Sequence, residues 1–123
     1  MLHENYKPLD EKMIISLQMQ IADWKKQYDP KGGIRIIEVD GEEDEDKFEG
    51  IFKVPEKTDL AAATREGLTE MESNEQLCML CVLYPEPILF KEILDKNFGL
   101  VTPITKKLLK ISRVTTEARA KKL

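Results

Sequence analysis

The chain has 123 residues, enough for one domain with its own core and too few for two ordinary ones. Hydrophobic residues make up 41% and charged residues 34%, the latter above the usual quarter, so a heavily solvated, helix-rich protein is expected. No apolar run approaches the roughly 18–20 residues that span a bilayer, and the opening MLHENYKPLDEK has no basic stretch followed by an apolar one, so neither a membrane span nor a secretion signal is expected. The net charge of −4 conceals a polarity: residues 106–123 carry seven cations against Glu117, a net of +6, which leaves −10 on residues 1–105. Eight of the acidic residues fall within 38–49, facing one lysine.

In chain order, residues 1–9 read as a flexible lead-in. Ile14, Leu17, Ile21, Trp24 and Tyr28 then recur at spacings of three and four, the stripe of a helix over about 10–28 with Asp10 as N-cap and Gly32-Gly33 beyond its end. This stripe is expected to face an internal core. GIRIIEV at 33–39 and KFEGIFKV at 47–54 are rich in β-branched and aromatic residues and read as a hairpin, joined by an exposed acidic loop that turns at Asp40-Gly41. Residues 10–55 thus form a helix plus hairpin.

After Pro55 the composition turns to helix formers. Thr58 is placed to cap a helix over about 59–71, and a second begins near Ser73 or Asn74 and runs through LCMLCVLY until Pro85 and Pro87. Ile88, Leu89, Phe90, Ile93 and Leu94 mark a third helix ending at Asn97 and Gly99. Thr102-Pro103 begins a fourth, with Ile104, Leu108 and Ile111 as its apolar stripe and the lysines opposite. The expected class is α+β: one domain over 1–123, with an N-terminal helix, a β-hairpin and a bundle of about four short helices at 56–123.

Candidate chemistry is sparse. Cys78 and Cys81 have the C-x-x-C spacing of a metal or redox pair, but a closed zinc site needs two further Cys or His ligands, and only His3 remains. Met79 and Leu80 between them supply no electropositive setting to activate a thiol, so both thiols read as small core hydrophobes in a reducing compartment. Gly32-Gly33 lacks the Lys-Ser/Thr of a phosphate loop, a single histidine leaves no ordinary catalytic dyad, and the 42–46 cluster lacks the ligand spacing of a calcium loop. No enzyme activity, metal or cofactor is therefore expected. The alternative function is a small virion-associated or nucleic-acid-binding accessory protein using the basic C-terminal helix, its nucleic-acid arm weakened by the acidity of the rest of the chain.

The run QIADWKKQY, the hairpin ending in FKVPEKTDLAAATRE, the helix ending in LYPEP and the closing ILFKEILDKNFGLVTPITKKLLKIS resemble, in order and character over residues 18–123, the small tail assembly chaperones of long-tailed bacteriophages, in their short form. The resemblance implies a non-enzymatic protein of the host cytoplasm that escorts the tape-measure protein or other tail proteins while the tail tube polymerises. On that reading, Ile104, Lys107, Leu108 and Ile111 form an exposed amphipathic face for a partner helix. Glu43, Asp44 and Glu45 at the hairpin tip meet the basic helix of the next copy in a head-to-tail homo-oligomer.

Overall fold

Asp10 opens the first helix as its side chain accepts the Met13 N–H at 2.8 Å, and the expected single helix proves to be two: α1 (Glu11–Ser16) and α2 (Gln18–Tyr28), broken where Leu17 leaves helical geometry at φ −94°, ψ 6°. The computed structural model describes residues 1–116 and Lys122. Gly32 and Gly33, both at positive φ (105° and 84°), reverse the chain after α2, a conformation that side-chain-bearing residues rarely adopt. The hairpin follows within one residue of expectation, β1 (Ile34–Val39) pairing antiparallel with β2 (Phe48–Lys53), Ile34 opposite Lys53 and Val39 opposite Phe48.

The helical half departs more from expectation. Thr58 caps nothing: Glu56 is the N-cap of α3 (Lys57–Ala63), in a reciprocal capping box with Asp59, whose Oδ2 accepts the Glu56 N–H at 2.9 Å. This helix stops at Ala63, and Gly67 takes a positive φ of 91° before Thr69 and Glu72 form a second capping box on α4 (Glu70–Cys81). The sequence T-x-x-E carries that signal, four residues earlier than the expected start. At Val82 the backbone turns extended, and β3 (Val82–Tyr84) joins the sheet beside β2, giving the order β1-β2-β3. Residues expected as the end of a helix are thus a third strand, because Ile51 and Phe52 offer them backbone partners from far away in sequence. After a cis Tyr84–Pro85 bond come α5 (Pro87–Lys96) and α6 (Val101–Thr116), so four helices follow the hairpin in an α+β fold.

Alternation in β2 divides the sheet into two faces. Phe48, Gly50 and Phe52 point inward, where Phe48, Phe52 and Phe90 of α5 form a cluster with ring centroids 5.7–6.3 Å apart. Ile93, Leu94, Cys78, Cys81, Ile104 and Leu108 close this core, each with 0% exposure. Gly50 is required there: a Cβ would lie 2.8 Å from both Phe48 and Phe52 and 2.9 Å from the Tyr84 carbonyl oxygen.

The first nine residues are part of this body, which corrects the flexible lead-in. Leu2 and Leu9 are buried, the Asn97 side chain donates to the Leu2 carbonyl at 3.0 Å, and the Tyr6 ring stacks on Phe48. The Tyr6 hydroxyl also accepts the Glu49 N–H at 2.7 Å and donates to the Glu49 carbonyl at 2.8 Å. His3 is buried as well, its Nδ1 accepting the Asn5 N–H and its Nε2 3.2 Å from the Glu92 carboxylate.

Candidate protein-docking surface

The outer face of the sheet is built differently. There Ile34, Ile36, Ile51 and Lys53 face the α1–α2 arm, and neither helix of that arm contains a buried residue. The stripe Ile14, Leu17, Ile21, Trp24 and Tyr28 therefore does not enter an enclosed core: Ile14 is 39% exposed and the other four are half-buried. The arm is tied at its ends. Gly33 N–H bonds to the Tyr28 carbonyl at 2.8 Å, the Lys53 ammonium sits 5.7 Å above the Tyr28 ring, and the Tyr84 hydroxyl donates to the Lys7 carbonyl just before the arm begins.

Between these ties the arm is flanked by two grooves. One, of about 400 Å³, lies between the arm and the β1 side of the sheet, lined by Ile14, Ile21, Lys25, Ile34, Arg35, Ile36 and Ile51. The other, about 450 Å³, runs on the β3 side past Met13, Leu17, Trp24, Tyr84 and Leu89. Ile36 is 53% exposed, and on the arm itself Ile15 is 62% and Met19 81% exposed, so β1 and the arm both leave apolar side chains open. Its rim is cationic. Arg35 also lines a smaller cavity of about 170 Å³ with Lys107, Lys110 and Ile111 of α6, and neither Lys25, Arg35, Lys107 nor Lys110 is in a salt bridge among the described residues.

This arrangement corrects the expected partner face of α6. Ile104 and Leu108 are fully buried against the aromatic core and offer nothing to a partner helix, while Ile111 is half-buried and Lys107 is exposed. The acidic loop is exposed at Glu43 and Glu45; the side chain of Asp44, like residues 117–121 and 123 of the basic tail, lies outside the described residues. No ion pair joins this loop to α6 among the described residues. It meets instead the Met1 amino group, 2.7 Å from Asp46 and 3.8 Å from Glu45. The candidate surface, for which GIRIIEV carries a signal in its isoleucines on both faces of one strand, was absent from the expected site residues.

The two thiols sit in the inner core. Cys78 Sγ lies 3.4 Å from the Thr105 hydroxyl and 3.8 Å from the Val101 carbonyl oxygen. Burial pushes the Cys78 thiol up to about 11 and the Cys81 thiol up to about 12, the nearby charge of Asp59 adding to the latter. Such groups stay protonated and unreactive at neutral pH. Lys53 links the two faces: its ammonium is 2.9 Å from Asp59 and 3.3 Å from Glu56. Burial opposes its charge, but the hydrogen bond to Asp59, the Asp59 charge and the hydrogen bond to Glu56 outweigh it and raise the pKa.

No protein-family model and no curated protein matches the sequence. Among solved structures, an uncharacterised protein of Bacillus stearothermophilus, rbstp2171, is similar at 17% identity and a TM-score of 0.59, the match covering 83% of this chain and 97% of that one. At that identity the likeness concerns the fold alone. None of the described helices is long and apolar enough to cross a membrane.

Proposed function

We propose that this chain is a non-enzymatic protein-binding assembly factor, and that it serves as a tail assembly chaperone of a long-tailed bacteriophage, escorting the tape-measure protein in the host cytoplasm. The observation that carries the protein-binding part is the α1–α2 arm: a helix pair with an apolar stripe and no buried residue, bordered by apolar grooves and exposed Ile15, Met19 and Ile36. Apolar surface that one chain leaves uncovered is the usual mark of a partner. The phage reading draws on the order and character of the segments over residues 18–123. The buried thiols with raised pKa values suit a protein whose work is contact rather than chemistry.

The test is co-expression with a long helical tape-measure protein, the client this reading requires. Capture of that client by the tagged wild-type chain, with loss on Ile36→Glu and Ile14→Glu at unchanged helicity, supports the reading; failure to capture it rejects the chaperone role. Glu43 is exposed, and Glu45 is exposed with the Met1 amino group 3.8 Å away; head-to-tail association through them predicts salt-sensitive oligomers. A monomer at every concentration in low salt would exclude that arrangement. A second reading, a nucleic-acid-associated accessory protein, rests on Arg35, Lys107 and Lys110 lining one cavity. It requires retention on heparin or DNA at about 0.1 M salt; flow-through removes it.

A further inference from the structure

β1 is an edge strand, and its register shows which backbone groups point away from the sheet. Val54 N–H bonds to the Gly33 carbonyl at 3.2 Å, and the pairing continues with Ile34 opposite Lys53. Antiparallel ladders alternate, so Arg35, Ile37 and Val39 spend their backbone groups on β2, while those of Ile34, Ile36 and Glu38 point outward. Arg35 confirms the direction: its Nη1 donates to the Ile34 carbonyl at 2.9 Å. The outward groups of Ile36 and Glu38 have no strand beside them among the described residues, since the sheet order is β1-β2-β3. An edge that has exposed isoleucine and, among the described residues, no neighbouring strand is a template for another strand.

The surroundings of that edge specify the strand. On the outer side lies the groove of Ile14, Ile21, Ile34, Ile36 and Ile51 with Lys25 at its rim, on the inner side stand Lys107 and Lys110 beside Ile111, and Arg35 lies at the edge itself and lines both. A strand added beside β1 sends alternate side chains to those two sides. We infer that the β1 edge captures an extended segment of a partner protein in which apolar and acidic residues alternate. The apolar set enters the isoleucine groove, the acidic set pairs with the three cations, and main-chain hydrogen bonds to Ile36 and Glu38 hold the register. A second copy does not meet this description. Antiparallel pairing of two β1 strands brings Arg35, Lys107 and Lys110 of both copies to one junction, where like charges repel, and the acidic loop DGEEDED supplies charge without an apolar side chain. The inference rests on the protein-binding reading and adds the chemistry of the bound segment; it does not depend on the client being a tape-measure protein.

The full chain is titrated with a fluorescein-labelled eight-residue peptide alternating Val and Glu, followed by anisotropy and by amide hydrogen exchange read by NMR. Three control peptides are used: one with the same composition in blocks, one alternating Val and Lys, and one with its outward-bonding amides N-methylated. The expected result is salt-sensitive binding of the Val-Glu peptide alone, new protection at the Ile36 and Glu38 amides, and at least a tenfold loss for Lys107→Glu/Lys110→Glu. That variant changes only exposed side chains, so its fold is expected to survive, which circular dichroism checks. Equal binding of the block or N-methylated peptide overturns strand addition, as does absence of binding at millimolar peptide. Protection of the Ile36 and Glu38 amides that grows with protein concentration alone assigns the edge to a second copy and overturns the partner. Client capture without peptide binding leaves the assembly-factor reading standing and this inference rejected.

Discussion

The two faces of the three-stranded sheet are made from similar residues and treated in opposite ways. On the inner face, Phe48 and Phe52 meet Phe90, Ile93, Leu94, Ile104 and Leu108, and all seven are fully buried. On the outer face, buried Ile51, half-buried Ile34 and exposed Ile36 meet a helix pair whose stripe stays partly open and whose ties lie at its ends. Apolar periodicity alone does not distinguish them. What does is closure: the inner layer has four helices to surround it, whereas the outer layer has an arm broken at Leu17 that crosses the sheet between two grooves. Stability should therefore reside on one face and binding on the other.

The largest test of that division is Phe90→Ala. Phe90 contacts both Phe48 and Phe52 with centroids 5.7 Å away, so its removal leaves a cavity among rigid rings and should cost about 3–5 kcal/mol in urea unfolding. Next comes Lys53→Met, which strips the buried Asp59 carboxylate of its 2.9 Å partner and releases Tyr28 from above. A loss of about 2–3 kcal/mol is expected, with Asp59→Asn recovering part of it in the double variant. A loss below about 0.5 kcal/mol would mean the Lys53 link does not join the two faces.

How much of this was legible follows from which contacts are local. The hairpin was readable to within a residue because Phe48, Phe52 and Val54 alternate with Glu49 and Lys53, and the third and fourth helices were readable from Phe90, Ile93, Leu94 and from Ile104, Leu108. Val82–Tyr84 was not: its apolar residues fit a helix equally well, and only Ile51 and Phe52, some thirty residues earlier, make it a strand. Leu2 and Leu9 are isolated apolar residues in a polar lead-in, too few to show a period, yet they fill space beside the core. The candidate surface was missed for another reason. A stripe at 14, 17, 21, 24 and 28 reads identically whether the chain itself covers it or a partner does, and the same ambiguity in reverse assigned buried Ile104 and Leu108 to a partner.

A smaller effect comes from pH. An ordinary thiol titrates near 9.0, whereas burial holds Cys78 near about 11 and Cys81 near about 12. Above pH 9 the unfolded chain releases these protons while the folded chain keeps them, so the unfolded state binds fewer protons and stability falls as pH rises. The stabilisation is complete below pH 9 and is lost towards 11–12, at most about 1.4 kcal/mol per pH unit for each thiol. Cys78→Ala/Cys81→Ala should flatten this limb in denaturant titrations between pH 8 and 10.5, although it lowers stability at pH 7. An unchanged slope would place the thiols in contact with water.

The smallest expected effect is the most discriminating. Ile14→Ala/Met19→Ala alters two exposed positions of the arm, 39% and 81% accessible, and should change the unfolding free energy by about 0.5 kcal/mol or less. Alanine also favours the helix. The same pair should weaken client capture severalfold, because Ile14 lines the groove beside Ile36 and Met19 extends the apolar surface on the arm. Hydrogen exchange supplies the companion measurement: amides in the middle of α2 should open at a free energy well below that of α5, since the arm is held by its ends and the core helix by buried aromatic packing. Equal protection of α2 and α5, together with a loss of several kcal/mol in the double variant, would make the arm an integral wall of the fold and leave the isoleucine groove a by-product of packing.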